Sequence, residues 1–537
     1  VPVIEGCMQA FPLTLNQILD HAAKWHPEAE VVTAGESGAN LRVGYALLRQ
    51  RARTVSRVLS DFGVVLGARV ATLAWNTQAH IEAWYAIMGM GAVCHTLNPR
   101  LTAMQLAWML GQSDAKILIV SADLLPLARQ VVTDAPRLEC VLVIDGDAAD
   151  ERPGAVELLK VELLALEPLI GRSTGDFEWG GFDECSPSGL CFTSGSTGAP
   201  KGVTYTHRSS FLHTLRLLQA DVLALKGTDS VLPVVPMFHA NAWGLPFAVP
   251  ATGGKLVLPG RHADGASLAR LIAAEEVTVA VGVPTVWLGL CEHLEATGAK
   301  VPSLQRIVVG GAPMPPALME RIETRLGIPV QTSWGMTELS PVGTFGVLSD
   351  SVRHAARSGR PALGVDLMLA DENGDPLEEQ RDQEGHLHVR GAAVIERYFG
   401  QKHPATSAEG WFDTGDLARI DGQGNLTITG RAKDLIKSGG EWINPAEIEA
   451  VVGALPQVSL AAVIGRNDHK WGERPILLVE IREDQDISDQ DLLASLHGRV
   501  ASWWIPDAVV RVPSMPLAAT GKIDKIRLRA TFSGDRA

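Results

Sequence analysis

Short β-branched runs separated by helix-length stretches constrain this chain more than any other feature in it. VATLAW (70–75), AVCHTL (92–97), KILIVS (116–121) and CVLVID (140–145) alternate with helical stretches that run to about 90 and start at 103 and 124. A strand that returns parallel to its neighbour needs a long crossover, and helices packed on both faces make such strands continuously apolar. The spacing therefore predicts a parallel, doubly wound sheet. A second series predicts a second sheet lobe: KLVLP (255–259), the helix SLARLIAAEE (267–276), VTVAVG (277–282), a further helix and RIVVGG (306–311).

Around these lobes the pattern changes. TLNQ (14–17) fits a capping box opening a helix that stops before Pro27. Residues 366–430 carry shorter alternating strands with turn signals such as ENGD and DGQGN, which predicts an antiparallel or barrel-like subdomain. The C-terminal stretch holds LAAVIG, PILLVEI, a helix opened by Ser488, VVRV and a basic end, which predicts a small α+β domain. The expected fold class is α/β, with a large N-terminal domain of two doubly wound sheet lobes plus a β-barrel-like subdomain, and a small α+β C-terminal domain.

Composition excludes several function classes. The 537 residues carry 47 basic and 61 acidic side chains, a net charge of −14. A general nucleic-acid binder needs a basic face to displace counterions from phosphates, so nucleic acid is excluded as a bulk partner while a local phosphate site is not. The six cysteines (Cys7, Cys94, Cys140, Cys185, Cys191 and Cys291) form no CxxC pair, which argues against zinc and disulfides and for a reducing, cytoplasmic setting. The long uncharged stretch 231–250 contains four prolines, a His and an Asn, and reads as soluble core and site lining rather than a membrane span. No signal peptide is visible.

TSGSTGAPKGV (193–203) packs glycines and hydroxyls ahead of a lysine. Such a loop can wrap a triphosphate with amides, hydroxyls and one ammonium, although the GK[ST] order of a Walker loop is missing. On its own the run reads equally as a flexible linker. It is followed by TSWGMTE (332–338), WFDTGDL (411–417), GRAKDLIKSGGEWINPAEIE (430–449) and TGK (520–522). With these five motifs in this order, the whole chain resembles the acyl-adenylate-forming superfamily of acyl-CoA synthetases, adenylation domains and luciferases. HTLNPRL (95–101), LPVVPMFHANAWGLP (232–246), GVPTVW (282–287) and KWGERP (470–475) resemble its medium- and long-chain fatty acyl-CoA ligase branch.

The resemblance implies ATP, Mg²⁺ and coenzyme A as ligands and a two-step reaction. A carboxylate attacks the α-phosphate of ATP, giving an acyl adenylate and pyrophosphate, and the CoA thiol then displaces AMP. Bringing two anions together needs preorganised cations and donors. By resemblance Lys522 is the ammonium that bridges carboxylate and phosphate, Thr337 donates to the α-phosphate, and Glu338 holds the metal. Thr193, Ser194, Gly195, Ser196, Thr197 and Lys201 would line the β and γ phosphates. Gly311, Ala312, Ser333, Trp334, Gly335 and Met336 would flank the nucleotide, with Trp334 against adenine. Asp416 would accept from the ribose hydroxyls, Arg431 would donate to the same sugar, and Lys437 would reach the adenylate. Upstream of Lys522 the chain reads PLAAT, with Leu517 and Ala518 where the superfamily has a basic residue and a Thr, which puts the fine placement of that loop in question.

The same resemblance implies that one site serves two reactions by rotation of the small C-terminal domain. The N-terminal domain would span 1–431, a hinge 432–437 centred on Lys433, and the mobile cap 438–537. Ser438, Gly439, Gly440 and Trp442 would line the thiol path, with His239, Trp243 and Gly310 between the acyl and pantetheine channels; neither His239 nor Trp243 is read as a general base. The candidate acyl walls, 237–248, 281–290 and 332–342, hold no charge besides Glu338, which predicts an uncharged, apolar tail. Medium- or long-chain fatty acids come first, with methylthiopropanoate and aryl or arylpropenoic acids open. An adenylation module loading a carrier protein, a luciferase-like oxygenase and a nucleotide sensor are the rivals; a homodimer is also left open.

Overall fold

The computed structural model describes residues 6–35, 38–146, 161–193, 200–350, 353–438, 441–518 and 522–533. Its first sheet has seven strands, in the spatial order Glu162–Ala165, Cys140–Ile144, Ile117–Ser121, Arg69–Leu73, Val93–Thr96, Pro187–Phe192 and Gly202–Thr206. All pair in parallel except the last two, which form an antiparallel hairpin. The strand Ile117–Ser121 is buried along its whole length, as a parallel strand covered on both faces must be.

The second sheet has nine strands, of which six run parallel: Val330–Gly335, Arg306–Val309, Val279–Gly282, Ser230–Pro233, Lys255–Leu258 and Glu30–Thr33. The strands Glu30–Thr33 and Leu41–Gly44 at one edge escaped the sequence reading. Each is only four residues long, and they join a sheet whose other strands lie some two hundred residues away. Both sheets share one apolar core with the helices Asn16–Trp25, Tyr45–Asp61 and Gln78–Gly89. Two tyrosines fix these helices to the second lobe: Tyr45 Oη donates to the Gly254 carbonyl at 2.6 Å, and Tyr85 Oη to the Pro246 carbonyl at 2.9 Å.

One local expectation fails. The helix Asn16–Trp25 has no side-chain cap; the Gln17 amide instead donates to Thr14 Oγ1 at 3.3 Å, so the box at TLNQ is not made. Its start is fixed by tertiary contacts, since the Leu15 N–H donates to the buried His207 Nδ1 at 3.2 Å. By contrast Ser488 caps the helix Asp489–Ala494, accepting from the Asp491 N–H.

Residues 366–431 form a four-stranded antiparallel sheet of Asp366–Ala370, Glu384–Arg390, Phe412–Ile420 and Leu426–Arg431, with no closing strand pair among the described residues. Burial alternates along Glu384–Arg390, the pattern of a sheet with one wet face. Beyond it lies a five-stranded sheet of Ile436–Ser438, Glu441–Ile443, Val458–Asp468, Gly472–Ile481 and Ala508–Arg511, with the helices Pro445–Gly453 and Lys525–Phe532.

Candidate active site

Four parallel strands of the second sheet end in segments that the sequence marked as functional. Ser230–Pro233 leads to His239 and Trp243, Val279–Gly282 to Val283, Arg306–Val309 to Gly310 and Gly311, and Val330–Gly335 to Thr337 and Glu338. The carboxyl ends of parallel strands are where open α/β sheets bind ligands, because the loops leaving them converge there.

Glu338 sits in the short turn Thr337–Leu339, pinned by the fully buried Leu339. Its carboxylate is buried, and Tyr398 Oη donates to Oε1 at 2.9 Å. Lys201 Nζ lies 4.8 Å from the centre of the same tyrosine ring, so Tyr398 links lysine and carboxylate. Burial pushes the Glu338 carboxyl above its ordinary value, and the Tyr398 hydrogen bond and the charges of Arg431 and Lys201 oppose that push. Tyr205 Oη donates to the Thr337 carbonyl at 2.9 Å, bracing the turn from the strand Gly202–Thr206. At the neck of the glycine-rich loop the Thr193 N–H donates to the Lys201 carbonyl at 2.9 Å. Ser194, Gly195, Ser196 and Thr197 lie outside the described residues, as do Gly439 and Gly440 of the cap.

A second cluster forms on Asp416, which is 3% exposed. Arg431, its cross-strand partner, brings Nε to 2.6 Å from Oδ1, and Trp334 Nε1 donates to Oδ2 at 2.9 Å. Desolvation raises the Asp416 carboxyl, and Arg431, the indole hydrogen bond and Lys522 pull the other way. The Trp334 ring packs against Gly343, where a Cβ would stand 2.6 Å from Cζ3. The indole is thus both a core residue and a donor to the carboxylate.

The turn between His239 and the helix Leu245–Thr252 is left-handed. Ala240, Asn241, Ala242 and Trp243 take φ of 45°, 54°, 46° and 55°. Each such L-residue costs about 1–2 kcal/mol, and only Asn tolerates the region readily. The run packs on the helix His207–Leu217, with the buried His213 against Gly244. Its result is to lay the Trp243 indole on Gly310, where a Cβ would meet the ring at 2.9 Å and Ser333 Oγ at 2.5 Å. Ser333 Oγ donates to the Val309 carbonyl at 3.0 Å, closing this wall.

Lys522 reaches the cleft from the C-terminal part of the chain, just ahead of the helix Lys525–Phe532. It is exposed as a whole residue, yet protein crowds its ammonium end. That desolvation, followed by the Arg431 charge, lowers its pKa, while Asp416 and Glu338 pull it back up. His239 is held down at about 4 by burial, then by Lys522 and Arg100, so it is neutral at physiological pH. Lys522 thus lies within electrostatic reach of His239, Asp416, Glu338 and Arg431. Lys433, in the turn Ala432–Asp434, also lies within electrostatic reach of Lys522.

The other described cap candidates are engaged within the C-terminal sheet. Lys437 and Trp442 pair across a hairpin, with Nζ 5.2 Å from the ring centre, and Ser438 Oγ accepts from Arg474 at 3.3 Å. No hydrogen bond or ion pair among the described residues joins them to Glu338 or Asp416.

Sequence reasoning missed four residues that hold the site. Two are Tyr398, which donates to Glu338, and Tyr205, which donates to the Thr337 carbonyl. His213 Nε2 accepts from the Val342 N–H at 3.2 Å, just past the Glu338 turn. The buried Arg216 donates to the carbonyls of Val342 at 3.1 Å, Gly364 at 3.3 Å and Leu363 at 3.4 Å. His213 and Arg216 lie three apart on one helix face, a spacing that would have flagged a shared target but not its identity.

The AMP-binding enzyme family matches residues 19–399, and the AMP-binding enzyme C-terminal domain matches residues 447–522. The chain belongs to the AMP-binding enzyme family, among its acyl-CoA ligases. Glu338 lies in the first span of this AMP-binding enzyme and Lys522 ends the second, with Asp416, Arg431 and Lys433 between them. It is 40% identical to the 3-methylmercaptopropionyl-CoA ligase of Ruegeria lacuscaerulensis over 98% of each chain. It is also 40% identical to the medium-chain-fatty-acid–CoA ligase of Ectopseudomonas oleovorans, over 98% of this chain and 97% of that one. Its fold matches the o-succinylbenzoate coenzyme A synthetase of Bacillus subtilis solved with ATP and magnesium ion, with a TM-score of 0.80 at 24% identity over 95% of this chain and 99% of that one.

Proposed function

We propose that this protein is an ATP-dependent, AMP-forming acyl-CoA synthetase that activates a monocarboxylic acid with an uncharged, apolar tail. The observation that carries the reading is the pair of clusters built on Asp416, with Arg431 and Trp334, and on Glu338, with Tyr398 and Lys201, both within electrostatic reach of Lys522. A nucleotide sensor needs cations for phosphate but has no use for an ammonium delivered from the far C-terminal part of the chain.

In this reading Arg431 and the Trp334 N–H hold Asp416 with its oxygens turned to the ribose hydroxyls. Lys201 and the 193–201 loop bind the outer phosphates, and Thr337 donates to the α-phosphate. Lys522 holds its proton and bridges the carboxylate oxygen to the α-phosphate as their charges meet. Glu338 suits Mg²⁺, since that ion takes one or two carboxylates and leaves its other positions to phosphate oxygens and water, and the donor set here is one buried carboxylate beside the phosphate loop. Bound there, the ion would neutralise phosphate charge. For thioester formation, rotation about Lys433 would withdraw Lys522 and bring in Lys437, Ser438, Gly439, Gly440 and Trp442.

Equal identity to a methylmercaptopropionyl-CoA ligase and a medium-chain ligase supports two acid classes, a short thioether acid and a medium-chain fatty acid. An acid panel with ATP, Mg²⁺ and CoA, read as AMP release against tail length, separates them. The six free thiols support a cytoplasmic setting, and no helix among the described residues is long and apolar enough to cross a membrane. The decisive test is Lys522→Ala. It should abolish acid-dependent pyrophosphate release while largely sparing thioester formation from a supplied acyl adenylate. Equal loss of both half-reactions would remove Lys522 from its role.

A further inference from the structure

The arm that carries Lys522 is tied to the segment just after Lys433 by an ion cluster. Lys522 stands beside an isolated bridge in which Leu517 pairs with Ile523; the Ala518 N–H donates to the Lys522 carbonyl at 2.7 Å, and the Asp524 N–H donates to the Pro516 carbonyl at 2.8 Å. Asp524 then caps the helix Lys525–Phe532. The first turn of that helix places Lys525 Nζ 2.7 Å from Glu449 Oε1 on the helix Pro445–Gly453. Its next turn places Arg529 2.8 Å from Asp434 Oδ1, one residue beyond Lys433. The charges of Lys525 and Arg529 overcome the desolvation of Asp434 and hold its carboxyl below the ordinary range. Glu449 Oε1 also accepts from the Val463 N–H at 2.6 Å, which fixes the cluster to the long strand Val458–Asp468 at the edge of the cap sheet.

We propose that Asp434 and Arg529, backed by Lys525 and Glu449, are positioning residues that make the chain just after Lys433 and the Lys522 arm one rigid body, so that rotation at Lys433 is delivered undiminished to the ammonium. The proposal rests on the reading of Lys522 as the adenylation lysine and Lys433 as the hinge. A unit of about 100 residues has a radius of gyration of about 13 Å. A tilt of about 5° over such an arm moves its end by about 1 Å, a misplacement that can cost about 100-fold in rate. The segment 438–442 follows the hinge within a few residues, so its placement in the second half-reaction does not depend on the distant helix. The cluster therefore acts on one half-reaction and not on the other.

The test uses the full chain in four forms: wild type, Arg529→Met, Arg529→Lys and the near-isosteric Asp434→Asn. Each is checked for an unchanged thermal midpoint, then assayed for acid-dependent pyrophosphate release and for thioester formation from a supplied acyl adenylate. Arg529→Met and Asp434→Asn should lower the turnover of pyrophosphate release by about 10-fold or more. Their KM for ATP should stay within about 2-fold and their thioester step within about 3-fold of wild type. Arg529→Lys should recover most of the loss. Parallel loss of both half-reactions, or no loss in a folded variant, overturns the proposal. A wild type that releases no pyrophosphate with any acid would instead overturn the function itself.

Discussion

Trp334 offers a single N–H whose removal can be read on ATP alone. Its indole donates to a carboxylate already held by Arg431, in a pocket that excludes water. Trp334→Phe keeps an aromatic face and deletes that donor. A hydrogen bond to a charged group contributes about 1.5–3 kcal/mol, so the KM for ATP should rise about 10- to 100-fold with turnover less affected. Loss of the donor also lets desolvation push Asp416 further up, so the rise should steepen as pH falls through the weakly acidic range. Steady-state kinetics with ATP and 2′-deoxy-ATP check this, since a ribose role also predicts weaker discrimination between the two. An unchanged KM would reduce Trp334 to core filling. Asp416, Glu338 and Lys522 were legible because their motifs are short and ordered. Tyr398 and Tyr205 were not, because a phenol becomes a site residue only when another strand places a carboxylate or carbonyl within its reach.

At the scale of elements, the turn Ala432–Asp434 and the left-handed run 240–243 set what the site can do. Lys433→Pro fixes φ near −65° and removes a backbone donor at the proposed hinge. Acyl adenylate should then accumulate while CoA transfer slows, measured as a burst of pyrophosphate without matching thioester. Normal turnover in that variant would reject the hinge. The buried parallel strands could be read from the sequence because continuous apolar runs have few other uses. The left-handed run could not, since three of its four residues disfavour that geometry in isolation. It persists because the buried face of the helix His207–Leu217 fills the space on one side and Gly310 admits the Trp243 ring on the other. Likewise TLNQ satisfies the pattern of a capping box, but the Leu15 contact to His207 sets the helix start.

Across the whole molecule, five strongly desolvated histidines are carried neutral. His80, His95, His207 and His239 are held at about 4, about 3, about 4 and about 4, and His213 well below the ordinary 6.5, in each case chiefly by desolvation. The unfolded chain takes up these protons near 6.5 and the folded chain does not, so stability is full above 6.5 and is lost as pH falls toward 4. Each contributes up to about 1.4 kcal/mol per pH unit within that window. Glu82, Asp145, Glu338 and Asp416 are raised by burial and act in the opposite sense, starting from the lower carboxyl range. The thermal midpoint should therefore fall between pH 7 and pH 5.5 with net proton uptake on unfolding; a flat or rising midpoint would show the carboxyls to dominate. A chain of net charge −14 that handles polyanions must concentrate its cations locally, and Lys201, Arg431 and Lys522 come from three distant stretches of the chain to do so. The sequence by itself determined the doubly wound class, the order of the motifs and the chemistry they can support, because apolar periodicity and short motifs are local properties. Tertiary structure alone decided that Lys522 points into the cleft, that Trp334 serves Asp416, and that Arg529 reaches the turn beside Lys433, because each joins residues far apart in the chain through burial.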